Sequence, residues 1–156
     1  MKKFLAILLT AAVCMSMAAC GAKKASGKQP ATADVVKAVA DQLTLKDAMM
    51  TLEDSIVPNF YSVDEQKVAE KTCYVSGSRA TAEEVTVFKV KDAADVQMVK
   101  DAMAQRIEDQ KIAYENYVPE EMVKINGAVT YVNGNYVILV MADDVSKVKE
   151  TFDAQF

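Results

Sequence analysis

The apolar positions along this chain change period from one segment to the next, and each change predicts an element. Val35, Val36, Val39, Ala40 and Leu43 recur at helical spacing, one face of a period of about 3.6 residues. Thr44 can cap a second helical piece carrying Leu45, Ala48, Met49 and Leu52, and Pro58 ends that region. Ser62 and Glu65 stand at capping-box spacing. Each side chain of such a box closes a free backbone N–H of the first turn, so a short helix is expected to run to about Glu70. TCYVSG (72–77) then reads as a strand stopped by Gly77. EVTVFKV (84–90) reads as a second, because β-branched and aromatic side chains suit a pleated surface. Thr81 and Glu84 repeat the capping-box spacing, but a strand pattern follows them and the box is read as a decoy.

Asp92 opens the longest predicted element, a helix over 93–117 with Val96, Val99, Met103, Ile107 and Tyr114 on one stripe. Pro119 requires that helix to stop before it. AVTYVNGNYVILVM (128–141) predicts a hairpin with Asn133-Gly134 at its turn. YVILVM is apolar at every position, so both its faces are expected to be covered and the strand to be central. A last helix from about Asp144 turns Val145, Val148, Phe152 and Phe156 inward. Together these predict an α+β fold: N-terminal helices followed by ββαββα, with a four-stranded, mainly antiparallel sheet packed on helices. The two ββα halves share an echo, Asp95-Val96-x-x-Val99-Lys100-Asp101 against Asp144-Val145-x-x-Val148-Lys149-Glu150. Any acidic cap followed by an amphipathic helix looks this way, and the echo is read as that rather than as a duplication.

The N-terminus has a different pattern. Lys2 and Lys3 precede an apolar run, FLAILLTAAV (4–13), and small residues Ala18 and Ala19 precede Cys20. This is the layout of a secretory signal peptide, too short for a comfortable membrane span. Met17-Ala18-Ala19-Cys20 resembles the bacterial lipobox, in which a diacylglycerol joins the thiol and the chain is cut before the cysteine. Residues 1–19 are therefore expected to be a signal peptide cleaved after Ala19, with Cys20 the site of lipid attachment. Residues 20–33, small and polar with Lys23, Lys24 and Lys28, read as a lipidated flexible linker, and 34–156 as a single α+β domain. Of the three cysteines, Cys14 leaves with the leader and Cys20 carries lipid. Cys73 is then alone, no intramolecular disulfide is available, and the core must hold the domain.

Charge sharpens the picture. The chain has 18 basic and 22 acidic residues, and five of the basic ones precede Asp34, leaving 13 against 22 from there on. An acidic domain argues against nucleic-acid binding, which needs a basic face. There is no histidine, the commonest general base and metal ligand at neutral pH. Ser146 and Lys149 match a Ser-x-x-Lys pattern, but its companion motifs are absent, and Val145 and Val148 claim the inward face of that helix. The pairs Asp64-Glu65, Glu83-Glu84, Glu120-Glu121 and Asp143-Asp144 are adjacent in sequence, so their carboxylates diverge. There is no calcium loop and no glycine-rich phosphate loop. No catalytic residue, cofactor or metal is assigned, and the chain is expected not to be an enzyme. One row remains as a candidate interaction surface: Arg106, Gln110 and Tyr114 step by four along the long helix, and Tyr117 and Glu120 continue past its end. The plain alternative is that Arg106 pairs with a local acid and the tyrosines edge the core.

VTVFKVKDAADVQMVKDAMAQRIEDQ, YVPEE and GNYVILVMADD resemble an uncharacterised family of small bacterial lipoproteins, the domain of unknown function 4358. The resemblance covers most of 61–156. It rests on the Val87–Val90 strand, Arg106 and Gln110, Tyr117 with Pro119-Glu120, and Gly134-Asn135-Tyr136. Such lipoproteins are typical of Gram-positive anaerobes, so the resemblance implies anchoring on the outer face of the cytoplasmic membrane. It implies no activity. The expected role is a non-catalytic binding or protein-interaction module, attached to the membrane through its lipid and engaging an envelope protein. The alternative is a sensor for a small ligand or metal, or an uncharacterised envelope enzyme.

Overall fold

The computed structural model describes residues 27–156. Ala19 and Cys20, and with them the expected leader and lipid site, lie outside the described residues. Five strands form one antiparallel sheet in the order β1-β2-β3-β5-β4. They are β1 (Met49–Thr51), β2 (Val68–Ser76), β3 (Glu84–Val90), β4 (Val129–Asn133) and β5 (Tyr136–Met141). Helices cover both faces. α2 (Val96–Tyr114) and α3 (Met122–Asn126) pack on one, and α1 (Thr32–Ala40) and α4 (Val148–Asp153) on the other.

The α+β class stands, with a fifth strand. Residues 45–52, expected as a helical piece, form a loop and β1. Their apolar spacing fits either state, and the unpaired edge of β2 decides it. Leu52 N–H donates to Cys73 O and Gly77 N–H to Ala48 O, both at 2.9 Å. The Glu83 carboxylate accepts the N–H groups of Lys46 and Asp47, which frees the loop from needing a helical ladder. The expected helix from Ser62 to Glu70 is a single 3-10 turn, Glu65–Lys67, capped by Asp64 rather than Ser62. β2 then begins at Val68, earlier than expected, because pairing with β3 extends that far.

Strand alternation explains the two cores. Thr86, Phe88 and Val90 of β3 face α2, whereas Val85 and Val87 face α1 and α4. All six residues of β5 are buried, as a strand covered on both faces requires. The hairpin before it turns at Gly134-Asn135, since Asn133 pairs with Tyr136. Within this turn Gly134 has the positive φ, 55°, so the turn lies one residue beyond the Asn-Gly reading.

α2 ends at Tyr114, ahead of Pro119, but Pro119 also starts a helical turn that continues into α3, an element the sequence reading passed over. α1 begins at Thr32, inside the segment read as linker. Thr32 is fully buried, its hydroxyl 2.8 Å from that of Thr72 and its N–H donating to Glu70. α4 starts at Val148, not Asp144, because Asp144 accepts the Ser146 N–H in a local turn first. The helices of the two ββα halves lie on opposite faces of the sheet. A two-fold relation about the β3–β5 pair would place them on the same face.

Candidate functional site

A cleft of about 620 Å³ opens beside the β1 edge of the sheet, on its α2 face. Its floor is Met50 and Val75, which pair across β1 and β2. One wall is the C-terminal half of α2 with Arg106, Gln110, Ala113 and Tyr114, continued by Tyr117. Ile56, Asn59 and Phe60 close one end, and the turn from Gly77 to Thr81 closes the other. Three of the six large hydrophobic side chains exposed on the described residues line this cleft: Met50 at 45%, Ile56 at 38% and Tyr117 at 78%.

A buried polar network sets the α2 wall. Glu84 is fully buried on the sheet and faces the helix. Arg106 donates to it through Nε at 3.0 Å and Nη2 at 2.9 Å, Thr86 donates at 2.7 Å, and the Tyr61 hydroxyl donates as well. The guanidinium lies 4.7 Å over the Phe60 ring, which fixes its plane. Burial alone would lower the Arg106 pKa, but the Glu84 carboxylate raises it above the ordinary value. Burial and the same carboxylate push the Tyr61 hydroxyl well above its usual range. Arg106 is therefore a fixed cation, neutralised from behind.

The turn at the far end is held against backbone strain. Arg79 has φ 60°, the only positive value outside glycine among the described residues. The Tyr114 hydroxyl reaches Thr81 O at 2.6 Å and Arg79 O at 3.0 Å. Asp47 accepts from the hydroxyls of Ser76 and Ser78 and from the Ser78 N–H. Those hydroxyl bonds hold the Asp47 carboxyl at about 2, below its ordinary 3.8. Behind the turn, Glu121 accepts the Ala82 N–H at 2.9 Å and pairs with buried Lys124 at 2.7 Å. Lys124 Nζ is 3.8 Å from Glu83.

Two groups facing the cleft remain uncommitted. Gln110 is 8% exposed, and its amide has no hydrogen-bond partner among the described residues; no side-chain polar atom there is both buried and unbonded, so the amide opens to the cleft. Arg79 has no ion pair among the described residues. The cleft thus offers an apolar floor, an amide with donor and acceptor, and a cation.

Of the sequence-derived row, Arg106, Gln110, Tyr114 and Tyr117 come together on the cleft, and Glu120 does not. The helix turns the row towards the sheet, so Arg106, Gln110 and Tyr114 are mostly buried rather than laid on an open surface. Arg106 does pair with a local acid. Sequence reading missed Met50, Ile56 and Arg79, since nothing local signals that β1 and a strained turn border the same space. It also chose Glu120 where Glu121 points inward. Ser146 is exposed in a turn, and Lys149 is bonded to Asp153 at 2.5 Å, so they form no site. Cys73 lies in the core away from the cleft, its thiol pushed up to about 12 by burial. Among the described residues no group of three or more His, Cys, Asp or Glu is placed to hold a metal, and no helix is long and apolar enough to cross a membrane.

No curated protein and no solved structure matches the chain. One family model does, that of the Domain of unknown function (DUF4358), over residues 41–142. That span takes in β1 to β5, α2, α3 and every residue lining the cleft, and the chain belongs to this family.

Proposed function

We propose that this chain is a non-catalytic binding module, held on the extracytoplasmic face of the cell membrane by a lipid on Cys20, and that it engages an envelope partner through the cleft between α2 and β1. The observation carrying this reading is Gln110: a nearly buried amide without a protein partner, beside exposed Met50, Ile56 and Tyr117. Its amide atoms open to the cleft rather than being sealed from it, so a ligand can take up a donor and an acceptor that no side chain claims. A domain with no histidine and its one cleft arginine–carboxylate pair locked together is poorly equipped for proton transfer. The lysines of 20–33 lie between lipid and domain, where each contributes about 1 kcal/mol near anionic headgroups. The acidic domain itself stands off that surface.

A small-ligand sensor is the second reading, favoured by the cleft volume of about 620 Å³, within the usual range for small-molecule sites. A photoreactive residue in place of Tyr117, with Val132 on the opposite sheet edge as control, separates these readings in intact cells. The binding-module reading expects a protein adduct of discrete mass from position 117 only. Equal labelling at both positions contradicts it, and a low-mass adduct supports the sensor.

A further inference from the structure

We propose that the cleft takes an extended peptide segment, which adds as a strand to the free edge of β1 and carries an acidic side chain that pairs with Arg79. This rests on the reading of the cleft as a binding site and specifies its occupant.

The sheet register supplies the first argument. Leu52 N–H bonds Cys73 O, Gly77 N–H bonds Ala48 O, and Met50 pairs with Val75 between them. Bonded and non-bonded positions alternate along an antiparallel pair. The backbone groups of Ala48, Met50 and Leu52 therefore face β2, and those of Met49 and Thr51 face away from it. β1 is the sheet edge, and neither Met49 nor Thr51 has a backbone partner on that side among the described residues. Proteins guard such edges with short strands, lysine, proline or a bulge. β1, Met-Met-Thr in regular register, is short at three residues but carries no lysine, proline or bulge. Adding a strand there satisfies the free groups and drops alternate side chains onto Met50 in the cleft.

Polar complementarity supplies the second. The Gln110 amide has one acceptor and one NH2 donor, the complement of a peptide group, and a fatty chain would leave it unbonded. Charge supplies the third. Of the charged side chains lining the cleft, Arg106 is paired with Glu84, and Glu83 with backbone N–H groups and Lys124. Arg79 is left to attract an anion. The Gly77–Ala48 bond places its turn at the Met49 end of β1, and Ile56 lies beyond the Leu52 end. The occupant is thus acidic at the first end and apolar at the second.

Selection of a bead-displayed library of random short peptides against the full-length protein in detergent tests this. Enriched sequences are expected to alternate apolar residues and to carry Asp or Glu at one end. Methylating alternate backbone N–H groups of an enriched peptide should weaken binding roughly tenfold per net hydrogen bond lost. Thr51→Pro and Arg79→Gln should weaken it similarly, and the methylated peptides keep the test valid should Thr51→Pro fail to fold. Enriched peptides indifferent to methylation overturn the proposal. So does a concentration-dependent dimer abolished by Thr51→Pro, which would make a second copy the occupant. Fluorescent lauric acid binding that Gln110→Leu abolishes, with no peptide enriched, overturns the peptide while leaving the cleft a binding site. If no probe binds, both readings fall.

Discussion

Gln110 sits one helical turn from Arg106 and one from Tyr114, and both of those have partners where it has none among the described residues. A structural amide and a ligand-facing amide respond oppositely to removal. Replacing a hydrogen-bonded buried group leaves its partner stranded, at about 1–3 kcal/mol, whereas replacing an unpartnered one with an apolar side chain of like size is neutral or stabilising. Gln110→Leu is therefore expected to leave the urea midpoint unchanged or raise it, by up to about 1 kcal/mol in stability. A loss of stability would give Gln110 a structural role. Asp47 is the residue through which pH reaches the cleft. Its carboxyl, depressed from 3.8 to about 2, stabilises the fold above the unfolded-state value and loses that effect as pH falls through the folded one. Melting temperature should therefore drop between 3.8 and about 2, and Asp47→Asn should flatten that stretch. Superimposable acid limbs for the two proteins would contradict the role given to the Ser76 and Ser78 bonds.

At the scale of elements, legibility followed the range of the interactions. β3, β5 and their neighbours were readable because β-branched runs and a glycine turn state their preference locally. β1 was not, because Leu45, Ala48, Met49 and Leu52 suit a helix until the edge of β2 is present to pair with them. The same holds for α3, where Pro119 marked an end and also a beginning. Long-range bonds hide the cleft in the same way: α2 announced Arg106, Gln110 and Tyr114, but only folding brings Arg79 and Met50 opposite them. Gly77 is where this dependence is most testable. A Cβ there would lie 2.6 Å from the backbone oxygen of Ala48, which cannot swing aside. Gly77→Ala should cost about 1–3 kcal/mol by overpacking. Amide exchange should quicken first at Met50 and Leu52. Unchanged exchange in β1 would show that the strand is held by something other than this pairing.

The whole molecule joins a three-layer acidic domain to an N-terminal segment that we propose sets its location. The family match covers the cleft without assigning it a role, so address and activity rest on separate evidence. A mass measurement on protein from native membranes tests the address: a chain beginning at Cys20 and heavier by a diacylglycerol is expected. A bare thiol, or a leader still attached, would remove the membrane from the account. The binding role proposed for the cleft would stand apart from that result, since its uncommitted amide and cation do not depend on where the chain resides. Crosslinking from position 117 in intact cells, with and without Gln110→Leu, tests that claim most directly. The account predicts a discrete adduct that the substitution abolishes while the domain stays folded. An adduct undiminished by the substitution, or one no stronger than that from position 132, would contradict it.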